Sequence, residues 1–139
     1  MAAERATRLT TTSLLDRLEI RDLLYRYARG VDRRDVDMVG ACFTPDCRYD
    51  GALASGTVAD MLAALPAAMA RYERTMHFMG EPAVDLDGDT AHSETPTVAY
   101  HLVPEGGGMR VVHVVYRDSL RRTHAGWRIV ERNVRRAVD

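Results

Sequence analysis

The sequence contains no lysine: its 19 basic residues are all arginines, and with 20 acidic residues they leave a formal net charge of -1. No global field therefore draws the chain to nucleic acid or to an anionic membrane surface. The arginine-only usage points to a high-GC bacterial genome rather than to a function. Two cysteines, Cys42 and Cys47, are too few for a disulfide framework and lack histidine partners at metal-ligand spacing. They read as free thiols of a reducing cytosol, and neither a metal nor a cofactor is expected. No apolar run approaches the roughly 18 residues of a membrane span. The stretch Met1 to Thr12 is polar, without the apolar middle of a signal peptide, and reads as a flexible lead-in to a cytoplasmic protein. A phosphate loop and a dinucleotide fingerprint are missing as well. Gly106-Gly107-Gly108 lies between strand patterns, where hairpin chemistry accounts for it.

What is present is one domain's worth of chain, 139 residues at 46% hydrophobic, enough to bury a core without disulfides or metal. There is no repeat, linker or low-complexity tract. The pattern changes once, near residue 75. Before it the periodicity is helical. Ser13 with Asp16 reads as a capping box for a helix from Leu14 to Val31, weakened in its last turn by Gly30. Asp35 caps a short second helix, Val36 to Phe43, which Thr44-Pro45-Asp46 ends. Cys47 to Gly51 reads as extended. Thr57 with Asp60 opens a third helix to Arg71, which Pro66 should kink or split.

After residue 75 the pattern is an antiparallel meander: strands Thr75–Leu86, Thr90–Val103, Met109–Arg122 and Trp127–Arg135, separated by turn signals. Helices followed by long strands predict an α+β fold. A twisted, curved, mixed or antiparallel sheet wrapped around the N-terminal helices would enclose a conical pocket.

Four stretches carry a resemblance to a known family. They are Leu18 to Asp32, Cys42-Phe43-Thr44-Pro45-Asp46, Thr75-Met76-His77-Phe78-Met79-Gly80, and Gly126 to Asn133. Together they resemble the SnoaL-like and scytalone-dehydratase-like families of the nuclear-transport-factor-like, cystatin-like superfamily, over residues 14 to 135. In three enzymes of that group (scytalone dehydratase, hexachlorocyclohexane dehydrochlorinase and the bile-acid 7α-dehydratase) an Asp ending the first helix pairs with a His on the first long strand. The resemblance carries that pair onto Asp32 and His77. It also implies Tyr27, five residues before the Asp, Arg132 on the last strand, and His101 as a second histidine. A tyrosine on the short strand corresponds to Tyr49, although the best register puts Gly51 there.

The chemistry can be argued from the residue types. β-Elimination needs a base beside an acidic C–H and an acid or cation beside the leaving group. An imidazole serves as base near neutral pH, and a carboxylate on its other nitrogen fixes the tautomer and stabilises the imidazolium. A phenol or guanidinium then stabilises the developing oxyanion. Each residue also has a plainer reading. Asp32 also reads as a helix cap or a solvated turn residue, Tyr27 as core, His77 as a core or surface histidine, His101 as an outward strand residue, and Arg132 as half of a structural ion pair. Tyr27 lies about 140° from Asp32 around an ideal helix, so sharing a pocket requires Asp32 to sit past the last regular turn.

Met61, Leu65, Met69, Phe78, Met79, Val112, Val114 and Tyr116 are expected to line the pocket or pack as core, which favours a carbocyclic or aromatic substrate. Val111, His113 and Val115 fall on the opposite strand face, apolar enough for a homodimer or homotrimer interface. The expected function is a cofactor-independent lyase or isomerase of dehydratase type on a small hydrophobic substrate. The alternatives are a polyketide cyclase and a non-catalytic ligand- or partner-binding domain.

Overall fold

The computed structural model describes residues 9–137, so the expected flexible lead-in falls largely outside the described residues. Helix α1 (Thr11–Asp32) begins earlier than the pattern predicts, because Thr10 and Ser13 form the capping box. The Thr10 hydroxyl accepts from the Ser13 amide at 3.0 Å, and the Thr10 amide donates to the Ser13 hydroxyl at 2.9 Å. Asp16 is thereby left for tertiary contacts: it accepts two bonds from the Arg122 guanidinium, at 2.7 and 2.9 Å, and one from the Trp127 indole at 3.2 Å.

The helix stops in a Schellman turn. The Arg34 amide donates to the Val31 carbonyl and the Asp35 amide to the Gly30 carbonyl. Arg34 takes the left-handed conformation, φ 57°, that glycine usually supplies there. Gly30 does more than weaken the last turn: a Cβ on it would lie 2.8 Å from Val39 Cγ2, so its bareness lets helix α2 (Val36–Gly40) pack closely. Asp35 caps α2 as expected. That helix is shorter than predicted, and Thr44 and Pro45 lie inside strand β1 (Phe43–Asp50). Pro45 falls where the register slips between Phe43 and Arg48, the kind of irregularity that tolerates a residue with no amide donor. After β2 (Ser55–Thr57) comes α3 (Val58–Ala70), opened by the Thr57–Asp60 capping box. Pro66 sits on its exposed side and does not split it.

The remaining strands are β3 (Arg74–Met79), β4 (Ala83–Asp87), β5 (Thr90–Leu102), β6 (Met109–Thr123) and β7 (Gly126–Arg136). The single strand predicted over Thr75–Leu86 is broken in two. The Gly80 amide donates to the Pro96 carbonyl at 2.7 Å, and a Cβ on Gly80 would come within 2.8 Å of that oxygen. Pro82 has no amide to continue the ladder. Both pieces pair with the long strand β5.

The sheet order is β2-β1-β7-β6-β5-β3, with β4 joining β5. Every pairing is antiparallel except β1 with β7, so the sheet is mixed, curved and unclosed, with the helices packed on it. Side chains alternate between faces, and the register sets the concave face in rows. One row holds Thr75, His101 and Arg110; the next holds His77, Ala99 and Val112. Deeper rows hold Tyr116 with Val134, then Asp118, Arg132 and Tyr49.

In that deepest row Arg132 Nε and Nη2 donate to the two oxygens of Asp118 at 2.7 and 2.8 Å, with both side chains fully buried. Removing one partner strands the other charge in the interior. Asp118→Ala is expected to cost about 3–5 kcal/mol, read by urea unfolding, whereas replacing both residues (D118L with R132M) should cost much less. Equal losses in the single and double variants would show that the pair is not the source of the effect.

Candidate active site

The site is built where the end of α1 meets edge strand β3. Asp32 is the last helical residue, and its carboxylate accepts three hydrogen bonds from β3. They come from the Thr75 hydroxyl at 2.9 Å, the His77 amide at 2.9 Å and His77 Nδ1 at 2.7 Å. A carboxylate only accepts, so Nδ1 carries the proton and Nε2 is the basic nitrogen of the neutral ring. Nε2 makes no hydrogen bond to any of the described residues. Burial by itself would raise the Asp32 carboxyl, but the bonds from His77 and Thr75 outweigh it and hold the group below its ordinary value.

His77 faces a cavity of about 300 Å³ enclosed by α1, α3 and the concave face. Val31, Leu65, Met69, Val112, Val114 and Val134 supply most of its apolar wall, and the tyrosines Tyr27, Tyr49 and Tyr116 reach into it. All three tyrosines are buried. Burial pushes the Tyr49 and Tyr116 phenols well above their usual range, so both remain protonated donors. His101 also lines the cavity, its ring 6.0 Å from that of His77 and 4.6 Å from that of Tyr72. Burial first, and then the neighbouring His77 and Arg110, lower its pKa and keep it neutral. A second concavity, about 320 Å³, is lined by polar residues such as Asp85, Glu94 and Arg117 and contains none of these groups.

The structure thus brings His77, Tyr27, Tyr49, His101, Leu65, Val114 and Tyr116 to one cavity, with Asp32 behind the histidine. The angular objection to Tyr27 disappears, because the residue that shares the cavity with it is His77 and not Asp32. Tyr49 reaches the position its register denied it: its hydroxyl lies 2.9 Å from where a Cβ on Gly51 would be.

Four expectations need correction. Arg132 does not line the cavity; Asp118 occupies it, and its guanidinium lies behind the rings of Tyr27 and Tyr116, 4.2 and 4.3 Å from their centroids. Phe78 is 65% exposed on the convex face; alternation forces this once His77 points inward. Met79 points inward but is packed as core, its sulfur accepting from the Thr97 hydroxyl at 3.2 Å. Met61 is fully buried in the core, one helical turn before Leu65.

Sequence reasoning missed Thr75, Tyr72 and Asp118. For Asp118 a signal exists: it alternates with Tyr116 and Leu120 on an inward face. The donation of the His77 amide has no sequence signal.

The family model for the SnoaL-like domain matches residues 12–133. The uncharacterized protein Rv2910c of Mycobacterium tuberculosis is 32% identical over 131 residues, 89% of this chain and 87% of that protein. Among solved structures, an NTF2-like protein with a cystatin-like fold from Novosphingobium aromaticivorans superposes with a TM-score of 0.76 at 29% identity, covering 95% of this chain and 92% of that one. The hexachlorocyclohexane dehydrochlorinase LinA-type3 from Novosphingobium barchaimii gives 0.78 at 17% identity, covering 91% and 89%, a likeness of fold. Among the described residues no helix is long and apolar enough to cross a membrane.

The depressed Asp32 carboxyl makes a pH prediction. Its folded pKa lies below its unfolded value of about 3.9. Its contribution to stability is therefore complete above that value and is lost as the pH falls through the folded one. The Tm gap between wild type and Asp32→Asn should be widest near neutral pH and should shrink below about pH 4. A gap that stays constant down to about pH 3 would contradict an ionised, hydrogen-bonded Asp32.

Proposed function

The chain belongs to the SnoaL-like domain family, and on that premise we propose that it is a cofactor-independent lyase or isomerase of dehydratase type. Its substrate would be a hydrophobic cyclic small molecule bearing a hydroxyl or carbonyl group. The observation that carries this reading is the 2.7 Å contact between Asp32 and His77 Nδ1, with His77 facing a largely apolar cavity. A pure binding domain has no need of a carboxylate-oriented histidine only 8% exposed at a cavity wall. That placement supports catalysis over the binding alternative.

In this reading His77 Nε2 removes a proton next to the activating group of the substrate. The C–H pair becomes the enolate and then the new C=C bond as the C–O bond to the leaving hydroxyl breaks. Asp32 stabilises the imidazolium that forms. A phenol, Tyr27 or Tyr49, donates to the oxygen that gains charge, and the proton on His77 returns to the departing hydroxide to release water. Arg132 acts at one remove. Its buried guanidinium sits behind the Tyr27 ring and holds it in place.

A screen of hydroxylated carbocycles by loss of water is the direct test. On any substrate found, His77→Ala should lower kcat by about 10²–10⁴. Tyr27→Phe should lower it less, and Asp32→Asn should fall between them. Full activity in His77→Ala would refute the mechanism.

The same reading extends to assembly. Met76, Phe78, Met109 and Val111 leave an apolar convex face, 43–65% exposed, directly behind the wall that carries His77. We propose that two or three copies of the chain cover it. Light scattering at micromolar concentration should return two or three times the chain mass, and a monomer would refute the assembly.

A further inference from the structure

We propose that the ligand of this cavity is an amphipathic organic anion, an apolar ring body with one acidic group, whose charge is held at the mouth by Arg110 and Arg136. This rests on the reading of the cavity as a substrate site and goes beyond it by naming the charge of the substrate.

Besides the two histidines, every ionisable charge lining the cavity belongs to an arginine: Arg71, Arg110, Arg135 and Arg136. No carboxylate lines it, since Asp32 lies behind His77. The chain as a whole carries a formal charge of -1, so a cationic mouth is a local arrangement and not a sample of the surface.

The four arginines are not equivalent. Arg135 is neutralised by Asp50 at 2.7 Å, and Arg71 lies over the Tyr72 ring. Arg110 donates to the Tyr72 hydroxyl at 2.9 Å, a neutral acceptor that positions the guanidinium without cancelling its charge. Arg136 forms no ion pair with a described residue.

The register places these two around the apolar wall. Arg110, Val112 and Val114 alternate on the concave side of β6, and Arg136 on β7 stands directly opposite Val114. Both arginines are exposed, while Tyr27, Tyr49 and Tyr116 beneath them are buried. A ligand that fills the apolar part and leaves its acidic group at the water boundary satisfies both regions. An uncharged ligand leaves the cations unused, and a ligand charged along its length would bury charge against valine.

The test uses two fluorescent probes of the same aromatic framework on the purified full chain: 8-anilinonaphthalene-1-sulfonate and its uncharged counterpart N-phenyl-1-naphthylamine. The sulfonate should bind about tenfold more tightly, a difference of about 1.4 kcal/mol, and the preference should shrink between about 0.05 and 0.5 M salt. Arg110→Gln with Arg136→Gln should abolish the preference and leave the neutral probe nearly unaffected. If the double variant does not fold, Arg136→Gln alone, at an exposed strand end, together with the salt series on the wild type, decides the question.

Equal affinities, or a preference untouched by the substitutions, would overturn the anion inference and leave the acid–base reading standing. Binding of neither probe would likewise overturn the anion inference, leaving the acid–base reading to the His77→Ala activity. Because no turnover is needed, failure of the catalytic mechanism, read in the His77→Ala activity, cannot be mistaken for failure of this proposal.

Discussion

The Asp32 carboxylate is the joint on which fold and site both depend. It ends α1, where the helix dipole presents its negative pole and disfavours a carboxylate by about 0.3–1 kcal/mol. Three donors from β3 offset this, each a hydrogen bond to a charged group with a net value of about 1.5–3 kcal/mol. One donor is the amide of His77 on the sheet's edge strand, a group that would otherwise lie open to pairing with another chain. The same carboxylate therefore fastens helix to sheet, covers part of an exposed edge and fixes the tautomer of the histidine. Its placement in turn depends on the Schellman turn at Arg33–Asp35 and on the bare Gly30 that lets α2 pack against α1.

Features governed by local rules were legible in the sequence. The Thr57–Asp60 cap, the period-2 burial of β5 and the opposition of Val112 and Val114 to Val111 and His113 all follow from spacing alone. The pair Asp32 and His77 came from family resemblance, because residues 45 apart carry no local signal of contact. What was not legible depends on tertiary competition. Ser13 and Asp16 match a capping box as well as Thr10 and Ser13 do, and the choice is made by Arg122 and Trp127, which take Asp16 from more than a hundred residues away. The split between β3 and β4 depends on the approach of the Pro96 carbonyl to Gly80. Phe78 is a different kind of miss, since alternation from His77 already places it outside.

Arg132 is a site candidate that the structure places away from the cavity surface. An arginine on an apolar strand face needs a carboxylate, which a ligand in the cavity could also supply. The register supplies Asp118 instead, directly across the β6–β7 pair. The consequence is chemical as well as structural. A guanidinium held bidentately has no freedom to follow a leaving group, but it presents a fixed positive charge behind two tyrosine rings. In the proposed mechanism its influence on an oxyanion would be transmitted through Tyr27 and Tyr116 and not by contact.

Seen along the cone, the charges sort by how each is compensated. At the deep end Arg132 and Asp118 cancel within the protein and present the cavity with little net charge. In the middle Asp32 is balanced by hydrogen bonds from Thr75 and His77. At the mouth Arg110 and Arg136 form no ion pair with a described residue, and water can solvate them until something else does. In the proposed mechanism a buried arginine without Asp118 would repel the imidazolium that proton abstraction would create. Asp118 removes that repulsion, and the negative charge in contact with His77 is the Asp32 carboxylate at its Nδ1.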